Sequence, residues 1–169
     1  RLNRILVSTM LAERDSERRA SEDALTGLAN RSGLQVALER VCASARGHDS
    51  HAALLYMDMD DFKRINDTHG HAAGDQVLTT IAQRMRGMLR VDDVAARIGG
   101  DEFIVLVTGI DATAALRLGE HLLRDASQPI ALADGTRVSV GLSIGISIIS
   151  AANRSPQAAL DSADAALYR

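Results

Sequence analysis

The chain has 169 residues, the size of one domain with an additional helix. Its 46% hydrophobic and 24% charged residues are typical of a soluble globular protein. The net charge of −3 argues against nucleic acid as a partner, because nucleic-acid-binding domains usually carry a basic excess. The single cysteine, Cys42, excludes an internal disulfide, and no apolar run approaches the roughly 18 residues of a membrane-spanning helix. We therefore expect a cytoplasmic domain and, because the sequence begins with Arg1, a fragment of a longer protein that could carry a membrane anchor.

The first part of the chain predicts a linker followed by the start of a folded domain. Residues 1–22 are charged and sparsely apolar, which predicts a helix that serves as a solvated signalling linker or, alternatively, as a short coiled coil. We place the domain itself at 23–169. Asn30 is a predicted N-cap for its first helix. The apolar run 52–57 lacks a helical period and predicts a buried strand that ends at Asp58.

The remaining elements predict an α+β fold. In chain order we expect a loop at 70–74, a helix at 77–89, a hairpin of strands 94–98 and 103–107, a helix capped by Asp111, a small hairpin turning at 134–135, a strand at 142–148 and a helix from Pro156. Hairpin strands and single crossover helices together favour a central mixed, mostly antiparallel sheet flanked by helices.

Two acidic clusters could carry chemistry. Asp58 follows a buried strand, and Asp101 and Glu102 follow Gly99-Gly100 in a predicted turn. Hard divalent cations such as Mg²⁺ prefer carboxylate oxygens together with substrate phosphates, and glycines let a phosphate or base approach the backbone. These residues therefore suggest a Mg²⁺–nucleotide site. The ordinary alternative is that these are simply turn residues, because Asp and Gly are common in turns.

The segment 58–75 adds groups suited to a guanine nucleotide. Lys63 and Arg64 offer cations for phosphate. Asn66 and Asp75 offer an amide and a carboxylate, which match the N1–H and N2–H₂ donors and the O6 acceptor of guanine. Each residue taken alone is equally consistent with a solvated loop.

Four sequence segments together resemble the GGDEF family of diguanylate cyclases. They are D-A-L-T-G-L-A-N-R at 23–31, M-D-M-D-D-F-K-R-I-N-D at 57–67, G-H-A-A-G-D at 70–75 and G-G-D-E-F at 99–103. They occur in the family's order and at similar spacing, and the likeness covers roughly residues 22–169. The resemblance implies the nucleotidyl cyclase, ferredoxin-like catalytic fold.

The resemblance also implies roles for individual residues. Mg²⁺, or Mn²⁺ in its place, would be bound by Asp58, the carbonyl of Met59 and Asp101. Asn66 and Asp75 would recognise guanine, and His71 would be a further substrate contact. Asp101 is expected to act as the base, with Glu102 as its rival. The phosphates would contact the N–H groups of Asp61 and Phe62, the side chain of Lys63, which is also expected to be catalytic, and Gly99 and Gly100.

The implied reaction joins two GTP molecules into cyclic di-GMP and releases two pyrophosphates. One domain would hold one GTP, so a homodimer with two-fold symmetry is expected. Arg90 and Asp93 fit the family's R-x-x-D pattern for product inhibition, although a surface Arg and Asp at a helix end is the ordinary alternative. His121 and Arg124 are weaker candidates for a second contact to the product. A neighbouring sensory or phosphodiesterase domain is the expected partner in the parent chain.

One departure from the family leaves alternatives open. Many members continue past the last helix with a Lys and an Arg near a G-R-N string, whereas this chain stops at Tyr168-Arg169. Weaker GTP binding is the expected result. An active cyclase is our main hypothesis. The alternatives are a catalytically silent domain that binds GTP or cyclic di-GMP, and a dimerising module in a sensor.

Overall fold

The computed structural model describes residues 20–44, 51–150 and 155–167. The predicted linker helix therefore lies almost entirely outside the described residues. None of the helices in the described part is long and apolar enough to span a membrane. The elements are α1 (Arg31–Ser44), β1 (Ala52–Asp60), α2 (Phe62–His69), α3 (His71–Met88), β2 (Val94–Arg97), β3 (Glu102–Thr108), α4 (Ala112–Ala126), β4 (Ile130–Ala131), β5 (Arg137–Val138), β6 (Gly141–Ile149) and α5 (Pro156–Leu167).

The main sheet has four strands in the order β2-β3-β1-β6. All three neighbouring pairs are antiparallel, and β4 and β5 form a separate small hairpin. One isolated parallel bridge joins Ala29 to Ala96 beside β2. The predicted mostly antiparallel sheet flanked by helices is confirmed, and its two central strands, β1 and β3, carry the acidic residues.

Helices cover both faces of this sheet. Side chains alternate along a strand, and Leu55 and Met57 of β1 accordingly pack in a core with α2, α3 and α4. Leu54 points the other way and packs with α1 and α5, together with Ile104 of β3. Because a slip of one residue would turn buried side chains outward, this two-sided burial fixes the register. It also places Asp58 on the α1–α5 face.

Helix caps follow the sequence prediction closely. The side chain of Asn30 accepts a hydrogen bond from Gly33 N–H at 3.0 Å. Asp111 accepts one from Ala114 N–H at 2.7 Å. Each bond satisfies an amide that the first turn of a helix leaves without a helical partner.

Helix α3 is tied to its surroundings at two points. Gln76 donates to the carbonyl of Ala131 at 2.8 Å and accepts from Ala133 N–H at 3.1 Å, which joins α3 to the β4–β5 hairpin. Near the other end, the guanidinium of Arg84 donates to the last carbonyls of α4 and the following turn, those of Asp125, Ala126, Gln128 and Pro129. These bonds hold α3 in place along its length.

The predicted loop at 70–74 is wrong. Helix α3 begins at His71, Gly70 caps it with a φ of 84°, and Gly74 is buried inside the helix. Two glycines in five residues lower helix propensity, but tertiary packing overrides that preference here. The short helix α2 was not predicted either.

The acidic residues lie slightly differently from the prediction. Strand β1 continues to Asp60, so Asp58 lies within the strand and not after it. Glu102 begins β3, and only Asp101 remains in the turn. Backbone pairing between β1 and β3 extends the strands into residues whose polarity suggested a loop.

Candidate active site

The two acidic clusters meet on adjacent strands. Asp58 of β1 lies directly opposite Glu102 of β3 in the antiparallel register, so their side chains share one face of the sheet. The N–H of Met59 donates to the carbonyl of Asp101 at 3.2 Å, which holds the turn against β1. We call Asp58, Asp101 and Glu102 the acidic cluster. Their convergence was predicted only in part, because the sequence did not reveal the register.

The acidic cluster concentrates negative charge. Burial raises the pKa of Asp58, and the neighbouring carboxylates of Asp101, Glu102 and Asp60 raise it further. Like charges on facing strand positions destabilise a sheet unless a cation compensates them. The donor set, all oxygen, fits a hard divalent ion such as Mg²⁺.

Side chains alone do not complete a metal site. Across residues 20–44, 51–150 and 155–167, no group of three or more His, Cys, Asp or Glu side chains is arranged to hold a metal ion. An ion bound by Asp58 and Asp101 would therefore need further oxygens, for which the carbonyl of Met59 and the phosphates of a substrate are suitable. Mg²⁺ commonly binds in this way, through one or two carboxylates plus phosphate and water.

A strained turn follows β1. In the described part of the chain, Asp61 is the one non-glycine residue with a positive φ, at 57°. It precedes the first turn of α2, where backbone N–H groups point outward and can bind an anion. Lys63 is exposed beside this turn. Residues held in such a conformation cluster at functional sites, and this one is suited to phosphate.

The predicted guanine-binding residues lie on two consecutive helices, Asn66 on α2 and His71 and Asp75 on α3. Gly74 of α3 has no side chain, and a Cβ there would overlap the side-chain oxygen of Asn66. The glycine thus allows Asn66 to lie against α3 next to Asp75. Asp75 and His71 are both exposed on α3. The sequence did not reveal this role of Gly74, because the residue was assigned to a loop.

A tyrosine contacts the acidic cluster, and sequence reasoning missed it. Tyr56 donates its hydroxyl to Glu102 Oε1 at 2.8 Å. Burial raises the pKa of Tyr56, and the hydrogen bond and charge of Glu102 raise it further. On its other side, the carboxylate of Glu102 lies where a Cβ of Gly99 would be. The available signal was a phenol within the otherwise apolar run 52–57.

The turn that carries Asp101 is held by an arginine. Arg97 donates to the carbonyl of Gly100 at 2.9 Å and forms an ion pair with Asp23 at 3.2 Å. Asp23 also accepts from the hydroxyl of Thr26 at 2.7 Å. Burial alone would raise the pKa of Asp23, but the bonds from Thr26 and Arg97 outweigh it and hold the pKa below 3.8. The loop at 23–31 is therefore a support for the site.

The R-x-x-D residues form a turn after α3. The carboxylate of Asp93 accepts from the backbone N–H of Arg90 at 2.9 Å. Both residues line a cavity of about 590 Å³. His121 and Arg124 line a different cavity, of about 330 Å³. The structure thus places Arg90 and Asp93 at one cavity and the weaker candidates, His121 and Arg124, at another.

A comparison with protein families matches this architecture. Residues 20–169 match the family model described as diguanylate cyclase, GGDEF domain. The chain belongs to the GGDEF domain family. The resemblance drawn from the four sequence segments is thereby confirmed.

Individual relatives of this GGDEF domain include a named diguanylate cyclase. The chain is 45% identical over 150 residues to diguanylate cyclase TpbB of Pseudomonas aeruginosa, a match that covers 88% of the chain and 34% of TpbB. The chain thus spans about a third of the length of this curated relative.

Solved structures agree with the fold. The GGDEF domain of TpbB has a TM-score of 0.82 at 44% identity, with 87% of this chain and 86% of that one covered. A structure of the coiled coil and GGDEF domain of DgcB from Caulobacter crescentus, in complex with c-di-GMP, has a TM-score of 0.85 at 30% identity. That match covers 98% of this chain and 91% of the DgcB chain.

Proposed function

We propose that this domain is a diguanylate cyclase that condenses two GTP molecules into cyclic di-GMP. The observation that carries the proposal is the acidic cluster, which concentrates negative charge where β1 pairs with β3. Burial and the neighbouring carboxylates raise the pKa of Asp58 there. The turn at Asp61, which is suited to phosphate, and then Asn66 and Asp75 follow Asp58 in the chain. Similarity to proteins named diguanylate cyclase supports the same reaction.

The chemistry is phosphoryl transfer, which depends on positioning and charge stabilisation. Each 3′-hydroxyl attacks the α-phosphorus of the other GTP, a new P–O bond forms, and the bond to the pyrophosphate breaks. Asp101 takes the hydroxyl proton, with Glu102 as the rival base. Lys63 and the N–H groups of Asp61 and Phe62 hold the phosphates. Gly100 leaves open space beside them, whereas the space at Gly99 is filled by the Glu102 carboxylate. A divalent cation bound by Asp58, Met59 and Asp101 would supply stabilisation of the charge on the leaving pyrophosphate.

Base recognition would come from α2 and α3. Asp75 accepts from the N1–H and N2–H₂ groups of guanine, and Asn66 both donates and accepts. His71 adds a further substrate contact. Adenine lacks the paired donors that Asp75 satisfies, so GTP should be used and ATP rejected.

The reaction requires two copies of the domain. Each copy would bind one GTP, and the product has two-fold symmetry, so the copies must face each other across a two-fold axis. Turnover per domain should therefore rise with protein concentration.

The test is incubation of the 169-residue chain at high concentration with GTP and Mg²⁺, with products separated by chromatography and identified by mass. Cyclic di-GMP that disappears with EDTA, with Asp101→Asn, or when ATP replaces GTP supports the proposal. Glu120→Gln, an exposed carboxylate-to-amide change on α4, is the control and should match the unmodified chain. A folded chain that binds GTP without turnover would point to the regulatory binding domain.

Product inhibition at Arg90 and Asp93 is a separate part of the proposal. The cavity beside them has room for a nucleotide, and Arg can grip phosphate or guanine through two parallel hydrogen bonds. Arg90→Ala should leave initial turnover unchanged and relieve inhibition by added cyclic di-GMP. Undiminished inhibition in that variant would contradict the assignment of Arg90 to product inhibition.

A further inference from the structure

Tyr56 lies on the face of β1 that also carries Asp58, between buried aliphatic residues and the acidic cluster. Ala52 and Leu54, which precede it on the same face, are fully buried aliphatic residues. Tyr56 itself pairs with Ile104 of β3, another fully buried residue. Tyr56 is half-buried, and its hydroxyl lies beside apolar neighbours, where a polar group without a hydrogen-bond partner is costly.

The partner is Glu102, diagonally across from Tyr56. Asp58 is opposite Glu102 and Tyr56 is opposite Ile104, so Tyr56 and Glu102 lie on neighbouring positions of the same sheet face. The Tyr56 hydroxyl donates to Glu102 Oε1 at 2.8 Å. At neutral pH a phenol is protonated and a carboxylate accepts, so the direction of donation is fixed.

The second carboxylate oxygen of Glu102 is placed from the other side. Glu102 Oε2 packs against Gly99, at the position that a Cβ would fill. One oxygen thus accepts a hydrogen bond, and the other packs against the turn at Gly99. Together these contacts restrict the Glu102 side chain.

Charge makes this restraint necessary. Glu102 faces Asp58 directly and is next to Asp101 in the chain. Repulsion between these carboxylates would turn an unrestrained Glu102 away from the place where substrate charge develops. The hydroxyl of Tyr56 opposes that rotation.

We propose that Tyr56 is a positioning residue that holds the Glu102 carboxylate in place for the cyclisation of GTP. The inference rests on the proposed function and adds to it a residue outside the acidic cluster and the nucleotide-binding segments. Tyr56 acts through Glu102 and touches no substrate atom. Small misplacements of catalytic groups slow reactions by as much as about 100-fold, so loss of one restraint is measurable.

The test is Tyr56→Phe, which removes one oxygen and keeps the ring. With GTP and Mg²⁺, we expect kcat to fall on the order of tenfold. The KM for GTP should stay within about twofold, because the groups that would bind the base lie on α2 and α3. Thr80→Val is the matched control, since Thr80 donates a half-buried hydroxyl at the same 2.8 Å, to the carbonyl of Gln76. Its kcat should be unchanged.

A double-mutant cycle read by urea unfolding tests the contact independently of turnover. Tyr56→Phe and Glu102→Ala, each of which removes one partner of the hydrogen bond, are measured singly and together. If the hydrogen bond couples the two residues, the shift of the urea midpoint in the double variant is smaller than the sum of the single shifts. Additive shifts overturn the inference.

The outcomes separate the two proposals. An active unmodified chain with an unimpaired Tyr56→Phe variant overturns the inference alone, as does a rise in KM at unchanged kcat. Equal slowing by Thr80→Val also overturns it. A folded unmodified chain that makes no cyclic di-GMP overturns the proposed function, and the inference falls with it.

Discussion

Asp23 and Asp58 are both half-buried carboxylates, yet their surroundings shift their pKa values in opposite directions. Asp23 receives hydrogen bonds from Thr26 and an ion pair from Arg97, so its pKa is lowered. Asp58 faces Asp101, Glu102 and Asp60, and burial together with these charges raises its pKa.

The difference separates a structural carboxylate from one whose surroundings resemble those of an active site. The chain supplies every partner that Asp23 needs, and the ionised form therefore stabilises the fold. The chain surrounds Asp58 with like charge, so its ionised form costs stability until a cation arrives. Carboxylates that are destabilised in this manner are characteristic of active sites.

The largest expected effect is that of Asp58→Asn on turnover. Loss of a ligand charge at the proposed metal position should reduce cyclic di-GMP synthesis by at least about 100-fold. The same change should leave Tm in EDTA equal or higher, because it removes a carboxylate that is disfavoured when ionised. Calorimetry and a product assay check both halves. A large drop in Tm would show that Asp58 is a structural residue like Asp23.

The next largest effect is that of Asp23→Ala on stability. The change removes the bonds from Thr26 and leaves Arg97, whose side chain is only 15% exposed, without its ion partner. We expect a loss of about 2 kcal/mol in the free energy of unfolding in urea. The control is Arg64→Ala, which breaks an exposed pair with Asp61 and should cost less than about 0.5 kcal/mol. Equal losses in both variants would contradict the comparison.

A smaller effect is expected from Mg²⁺ alone. Binding to the native state only should stabilise the unmodified chain by about 1 kcal/mol at a free Mg²⁺ concentration about five times the Kd. EDTA should reverse the gain, and the Asp58→Asn variant should show none of it. Equal shifts in both proteins would indicate binding elsewhere.

The smallest effect is the pH dependence of the Asp23→Asn variant. The native pKa of Asp23 lies below its value in the unfolded chain, so its stabilisation is complete above the unfolded value and is lost as pH falls through the native pKa. The difference in unfolding free energy between the unmodified chain and Asp23→Asn should therefore be constant near neutral pH. It should shrink once the pH falls below about 4. Urea melts at a series of pH values would detect it, and a difference that grows in acid would contradict the assignment.

Local sequence signals predicted much of the fold. Caps at Asn30 and Asp111 depend on residues three positions away, and both were found as predicted. The helix start at His71 was missed because Gly70 and Gly74 suggested a loop, whereas Gly74 lies inside the helix and packs against the Asn66 side chain.

The sequence predicted which residues form most of the candidate site but not how they are arranged. The sequence motifs identified Asp58 and Asp101 as candidate site residues, whereas their convergence depends on the pairing of β1 with β3. Tyr56 escaped notice since its partner is 46 residues away along the chain. Contacts between distant segments are set by tertiary structure, and one sequence carries no direct record of them.

The residue proposed to recognise the guanine base and the residues proposed to catalyse the reaction lie on different elements. Asp75 is exposed on α3, whereas the acidic cluster belongs to strands at the centre of the sheet and its adjoining turn. Replacing Asp75 removes no core contact, so the fold tolerates that change easily. Over evolution, descendants of this domain could therefore alter which base they accept by single substitutions while the cyclising machinery stays constant.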